Sequence, residues 1–323
     1  MPPMITQLRQ SKFLSLMAKA ALTLAAFWLV MRGVDLAHLR VMLLRQNPAL
    51  VASALALVIV QMGLGALRWR MILSAITPAG QAMMTRREAL RIYYISSFFS
   101  CCLPGAVGGD VVRVFLARSD HVSLPLSIHS VIIDRLIALI ALGVMVLLTL
   151  PLLGKVMGFN ALPLLPPITL AAILGLWAAL HIDKWLSKWR NVYPVAWVLY
   201  LTGSLRMLLA RPGVSILSLI FALIAHSCFC LCGYLLAESL NIQITLLQCL
   251  TFIPLILLAV TLPVSIGGWG VREAGMVALL ALIGVPQAPA LMLSVQLGLA
   301  SVIISLPAGL LWLAYRGGSQ RSA

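Results

Sequence analysis

Long apolar stretches alternate with short polar ones along the whole chain. Six of the apolar runs are long enough to cross a bilayer, because a hydrocarbon core of about 30 Å needs about 20 apolar residues per helix. The runs span residues 14–31, 49–67, 124–150, 162–182, 213–237 and 288–314. They are continuous instead of alternating, which favours helices over a β-barrel. The pattern predicts an all-α polytopic membrane protein, with residues 1–323 as a single integral membrane domain.

Two further apolar runs, 89–102 and 246–261, each lead into the same motif. The first copy reads LPGAVGGDVVR (Leu103 to Arg113) and the second reads LPVSIGGWGVR (Leu262 to Arg272). A proline ends a helix, and a glycine pair permits a tight turn and a close backbone approach. Each copy therefore predicts a broken, re-entrant hairpin. The predicted hairpin-turn residues are Pro104, Gly108, Gly109, Pro263, Gly267 and Gly268.

The repeated motif divides the chain into two similar parts. Repeat 1 covers about 13–152 and repeat 2 about 160–316, each with three crossings plus a broken hairpin. Three crossings lie between the two hairpins, so the repeats are predicted to be inverted, as in many transporters. With a cytoplasmic N-terminus, most Lys and Arg residues outside the apolar runs, including Arg68 and Arg70, fall on the cytoplasmic side. This agrees with the positive-inside rule.

The segment 184–211 decides between two topologies. Its apolar part is short and is interrupted by Pro194, Gly203 and Arg206, while its Trp and Tyr residues resemble interfacial anchors. We interpret it as a helix along the cytoplasmic surface. If it crosses instead, the repeats are parallel and the charge bias weakens.

Ionisable residues within apolar segments are costly and are usually paired or functional. The candidates are Asp110, Arg113, Asp134, Arg135, Arg272 and Glu273. Asp110 and Arg113 are three residues apart and close enough to pair. Asp134 and Arg135 point about 100° apart on a helix and need partners on other segments, so we expect Asp134 to reach the first motif, with Arg113 as its candidate partner. A purely structural role, in which ion pairs only brace the hairpins, stays open.

Other classes of function find little support in the sequence. The formal charge of +15 would suggest nucleic-acid binding in a soluble protein, but it is explained here by topology, and no interleaved aromatic motif accompanies it. There is no nucleotide-binding loop and no cluster of metal-ligating residues, so no cofactor and no metal are expected. The six cysteines lie in apolar segments and are expected to be reduced.

The combination of LPGAVGGDVVRVFLAR, IHSVIIDRL and LPVSIGGWGVREAG resembles the lysylphosphatidylglycerol synthase transmembrane-region family, also called flippase-like proteins. The resemblance covers nearly the whole chain in order. The family includes the membrane half of multiple peptide resistance factor, which moves aminoacylated phosphatidylglycerol to the outer leaflet. The resemblance implies that the six ionisable residues line or brace a lipid headgroup path. The chain stops soon after its last apolar run, so a soluble synthase domain is not expected.

These observations predict a flippase or scramblase for a phosphate-containing lipid, such as an aminoacyl-phospholipid or a polyprenyl-linked lipid. We expect the protein in the bacterial inner membrane, with both termini on the cytoplasmic side. Its expected partners are membrane lipids, and the sequence is compatible with a homo-oligomer. Two alternatives remain open: a membrane enzyme acting on lipid-linked substrates, and a subunit that presents lipid to a separate synthase. A transporter of small solutes is a further alternative.

Overall fold

The computed structural model describes residues 46–78, 83–102, 108–118, 122–158, 160, 162–186, 193–261 and 268–319. These residues are almost entirely helical. The helices are α1 (Pro48–Ile76), α2 (Arg86–Cys102), α3 (Gly108–Ala117), α4 (Leu124–Val156), α5 (Leu165–Leu186), α6 (Tyr193–Leu209), α7 (Pro212–Ser239), α8 (Leu246–Thr261), α9 (Val271–Ala281) and α10 (Gln287–Ser319). A short 3₁₀ helix, Leu162–Leu164, precedes α5. The predicted all-α class is confirmed.

Four of these helices, α1, α4, α7 and α10, are long and apolar enough to cross a membrane. They correspond to four of the six predicted crossings. Of the other two predicted crossings, 162–182 coincides with the 3₁₀ helix and α5, and 14–31 lies outside the described residues. The fold is therefore that of a multi-pass membrane protein.

The order of helices repeats along the chain. A long helix, two short ones and a long one (α1 to α4) contain 29, 17, 10 and 33 residues. The series α7 to α10 contains 28, 16, 11 and 33 residues. In both series the repeated motif lies between the two short helices. This supports an internal duplication of element order, while the inversion of the repeats and their full boundaries stay predictions.

The two helices that lead into the motifs begin in the same way. At α2 the Thr85 amide donates to Glu88 Oε2 (2.8 Å) and the Glu88 amide donates to Thr85 Oγ1 (3.2 Å). At α8 the Thr245 amide donates to Gln248 Oε1 (2.8 Å) and the Gln248 amide donates to Thr245 Oγ1 (3.2 Å). Each pair is a capping box, which satisfies amides that a helix start leaves without partners.

By contacts the chain divides into two units, with the divisions falling inside helices. The Arg113 unit comprises 61–93 and 113–226. One of its apolar clusters joins Ile72, Ile76, Ile133 and Leu208, and so packs α1, α4 and α6 together. A second cluster joins Trp69, Ala89, Ala117 and Val131. The segment 184–211 contains the regular helix α6, and one face of this helix packs against the core. The location of the segment at the membrane surface stays a prediction.

The Arg272 unit comprises the described residues within 1–60, 94–112 and 227–323. Its helices α8, α9 and α10 pack against one another in chain order. Fully buried side chains in this core include Phe252, Met276, Leu280, Leu293 and Leu297. Gly233 on α7 lies against the side chains of Ile253 and Leu297, where a β-carbon would not fit. This core supports the second motif.

Candidate functional site

A carboxylate shared by two arginines lies in the interior of the Arg113 unit. Arg68 Nε donates to Asp134 Oδ1 at 2.7 Å, and Arg113 Nη1 donates to Asp134 Oδ2 at 3.0 Å. The exposed fractions of Arg68, Arg113 and Asp134 are 5%, 3% and 2%. The expectation that Asp134 reaches Arg113 is confirmed. We call these three residues the Arg113 centre.

The three members of the Arg113 centre carry unequal numbers of positive and negative groups. Two guanidinium groups and one carboxylate give a formal charge of +1 for these three residues. Charge-assisted hydrogen bonds offset part of the desolvation cost, which is several kcal/mol per buried ion. Two guanidinium groups that meet at one carboxylate are also suited to donate to the oxygens of an anion.

Aromatic rings hold Arg113 in place. Its guanidinium carbon lies 5.2 Å from the centre of the Trp69 ring and 5.3 Å from that of Tyr93. The Trp69 indole donates to Ser130 Oγ at 3.0 Å, which fixes that ring against α4. The Tyr93 ring lies against Gly65, where there is no side chain to displace it. Such cation–π contacts favour a defined guanidinium position.

Arg68 is the member of this centre that the sequence analysis missed. We counted it among the charges of the cytoplasmic side because the apolar run ends at 67. The structure continues α1 to Ile76 and buries the Arg68 side chain among the helices, while its side of the membrane stays a prediction. The apolar stretch Met71–Ile76 after Arg70 was the signal of this continuation. Arg68 therefore belongs to the candidate site.

The second motif builds a different centre in the Arg272 unit. Arg272 Nη2 and Nε donate to Glu273 Oε1 at 2.6 and 3.1 Å. Arg272 Nε and Glu273 Oε1 also lie 3.3 Å from Ser294 Oγ on α10. The Glu273 side chain is fully buried, whereas 12% of the Arg272 side chain is exposed. This Arg272 centre is electrically neutral, and none of these bonds uses Arg272 Nη1.

The turn before α9 places both charged residues. Gly268 and Gly270 have φ angles of 80° and 87°, which only glycine adopts readily. The Gly270 amide donates to Glu273 Oε2 at 2.5 Å, so Glu273 also caps the helix. The Trp269 ring centre lies 4.5 Å from the Arg272 guanidinium. Gly268 lies in a turn, and its role in a re-entrant hairpin stays a prediction.

Gly109 of the first motif permits a close approach between helices, because a β-carbon there would collide with Ser100 Oγ and the Ser96 carbonyl of α2. Gly108 and Asp110 lie in the first turn of α3, and Asp110 is half-buried. Arg135 is exposed on α4 and lies on a different face from Asp134. Pro104, Pro263 and Gly267 lie outside the described residues, so their roles stay predictions.

Two histidines, the buried His129 and the half-buried His226, join helices of the Arg113 unit. His129 Nδ1 lies 3.2 Å from Ser204 Oγ, and His226 Nε2 donates to the Ala138 carbonyl at 3.2 Å. Histidine side chains often form such hydrogen bonds between membrane helices. Among the described residues, no three His, Cys, Asp or Glu side chains form a group that could hold a metal ion.

The fold and the two centres define a multi-pass α-helical membrane protein with buried ionic groups. Comparison with protein families gives a match to the lysylphosphatidylglycerol synthase TM region over residues 16–309. The chain belongs to this family, as its motifs predicted. Comparison with curated proteins gave no match. Family membership indicates a membrane lipid-related function.

Proposed function

We propose that this protein is an inner-membrane flippase or scramblase that moves a phosphate-containing lipid between leaflets. The observation that carries the proposal is the Arg113 centre, where two buried arginines share one carboxylate. Arginine binds phosphate oxygens in a defined geometry, and the two guanidinium groups that meet at Asp134 supply such donors. The substrate would be an aminoacyl-phospholipid, a polyprenyl-linked lipid or a related compound.

The motif arginines have distinct roles in this proposal. Arg113 and Arg68 attract the headgroup, while Asp134 holds both guanidinium groups and lowers the cost of their burial. Arg272 offers a second contact, with Glu273 as its counter-ion. Asp110 and Arg135 contact the headgroup path at its edges. The protein works without a cofactor and synthesises no lipid itself, and both of its termini lie on the cytoplasmic side.

A second candidate is a membrane subunit or enzyme of lipid or glycolipid synthesis that works with a separate synthase. The observation that favours it is the family itself, which is defined on the TM region of a synthase. Here the Arg113 centre would bind lipid for the partner enzyme instead of moving it between leaflets.

Leaflet exchange in proteoliposomes distinguishes these candidates. Labelled phosphatidylglycerol, aminoacyl-phosphatidylglycerol and a polyprenyl phosphate are tested with the wild type, Arg113→Gln and Arg272→Gln. Leu148→Ala is the control, because Leu148 is 76% exposed and faces away from the apolar core. We expect exchange of at least one lipid, at least tenfold slower in both arginine variants and unchanged in the control. Folded wild type that exchanges none of the lipids would contradict the transport proposal and favour the synthase subunit.

A further inference from the structure

Gly298 on α10 has an unusual neighbour. A β-carbon built at this position would lie 2.6 Å from Arg272 Cζ and 2.5 Å from Arg272 Nη1, with Nη2 closer still. Real β-carbons do not approach other heavy atoms this closely. The guanidinium of Arg272 therefore occupies the volume that any other residue at position 298 would fill.

The remaining contacts show what this placement achieves. The Nε and Nη2 atoms of Arg272 face Glu273 and Ser294, and the guanidinium lies over the Trp269 ring. A guanidinium is planar and rigid, so fixing its Nε–Nη2 edge also fixes the direction of Nη1. Gly298 supplies the space in which that orientation is reached.

Other glycines of the long helices differ from Gly298. Gly233 meets only apolar side chains, which is ordinary helix packing, and a β-carbon at Gly143 on α4 would meet nothing within 4 Å. Small residues are common where membrane helices approach closely. At Gly298 the atoms that approach belong to the charged residue of the repeated motif.

We propose that Gly298 is the positioning residue of the Arg272 centre, and that it leaves Arg272 Nη1 as the donor to an anionic headgroup. The identity of the anion rests on the function proposed above. The placement of Arg272 by Gly298 does not depend on it. A side chain at 298 displaces the guanidinium and breaks its bonds to Glu273 and Ser294.

Transport tests the proposal through a double-mutant cycle. The variants are Gly298→Ala, Arg272→Gln, the double variant, and Gly143→Ala as the matched control. We expect phosphatidylglycerol exchange to fall at least tenfold in Gly298→Ala and to stay unchanged in the control. The double variant should match Arg272→Gln, because residues that act through one another are not additive. Independent, multiplying losses would overturn the proposal.

Chemical labelling tests the same placement without transport. Phenylglyoxal modifies accessible arginines, and mass spectrometry of the purified protein in detergent measures the rate at Arg272. We expect Arg272 to react at least threefold faster in Gly298→Ala than in the wild type or Gly143→Ala. Equal rates would overturn the positioning role even if lipid exchange is observed. Faster labelling in a protein that exchanges no lipid would uphold the positioning role and contradict the transport function.

The folding of Gly298→Ala provides a last check. If the added methyl group prevents folding by colliding with Arg272, the double variant with Arg272→Gln should recover folded protein, because glutamine is shorter. If Arg272→Gln folds by itself and the double variant does not, the methyl group collides with something other than Arg272, which would overturn the proposal.

Discussion

The Arg113 and Arg272 centres occupy the same place in the repeated motif but differ in charge. Asp134 lies 21 residues after Arg113, and Ser294 lies 22 residues after Arg272. In the second repeat a hydroxyl therefore has nearly the sequence position that the carboxylate has in the first. The second carboxylate is instead the sequence neighbour, Glu273. Arg68 adds a second guanidinium group to the first centre, and the described contacts of Arg272 include no second cation.

This difference shows what the duplication preserves. Both motifs keep the arginine and the glycine pair, and a helix with a capping box precedes each of them. The charge around each arginine is set by residues outside the motif: Arg68 on α1 and Asp134 on α4 in one unit, and Glu273 on α9 in the other. Equivalent motif residues therefore need not have equivalent functions.

The largest expected loss of stability is at one of the two carboxylates. Asp134→Asn removes the carboxylate that two buried arginines share, and we expect the free energy of unfolding to fall by about 3–5 kcal/mol. Glu273→Gln leaves one partly exposed arginine and retains an oxygen for the Gly270 amide, so a loss of about 1–3 kcal/mol is expected. Denaturant titration in detergent micelles measures both values. Equal losses would contradict the difference in charge between the centres.

Smaller effects than that of Asp134→Asn are expected at two glycines of α1. Gly65→Ala places a methyl group against Tyr93, with the ring carbon Cζ at 2.6 Å, and disturbs the ring that contacts Arg113. Overpacking of this kind costs about 1–3 kcal/mol. Gly63→Ala meets nothing within 4 Å and should stabilise the helix by about 0.5–1 kcal/mol. The same denaturant titration measures both variants. An unchanged free energy of unfolding in Gly65→Ala would show that the position of the Tyr93 ring does not require a glycine at 65.

The smallest contrast concerns the two capping boxes. Thr85→Ala and Thr245→Ala should each cost about 1 kcal/mol at pH 7. Hydrogen bonds from the Thr85 amide and hydroxyl hold the pKa of Glu88 below its ordinary value, so this stabilisation is present above the unfolded-state pKa and is lost as the pH falls through the folded-state pKa. The defect of Thr85→Ala should therefore shrink below about pH 4, where Glu88 becomes protonated. Gln248 does not titrate, so the loss of stability in Thr245→Ala should stay constant. Thermal unfolding between pH 7 and pH 3 measures both variants, and the same pH dependence in both would contradict this account.

Much of the fold was predictable from the apolar runs, because length and continuity decide whether a helix can cross a bilayer. The contact between Asp134 and Arg113 was also predictable, since a buried charge requires a partner. Arg68 was missed because the first cation after an apolar run was taken as the end of the crossing. A following apolar stretch such as Met71–Ile76 shows that the helix continues.

Ser294 and Gly298 could not be found from the sequence. Small residues are frequent in membrane helices for packing reasons, so neither stands out along α10. Their importance comes from the packing of α9 against α10, which brings both residues to the Arg272 guanidinium. One-dimensional patterns contain no signal for such a contact.

The central claim is that the paired guanidinium groups of the Arg113 centre select an anionic headgroup. The most direct test compares Arg68→Gln with the wild type, because glutamine can still donate to Asp134 while one of the two positive charges is removed. Leaflet exchange of phosphatidylglycerol and of a zwitterionic lipid is measured in the same proteoliposomes. We expect the preference for the anionic lipid to fall about tenfold, equivalent to about 1.4 kcal/mol, with folded protein retained. An unchanged preference in folded Arg68→Gln would contradict the claim.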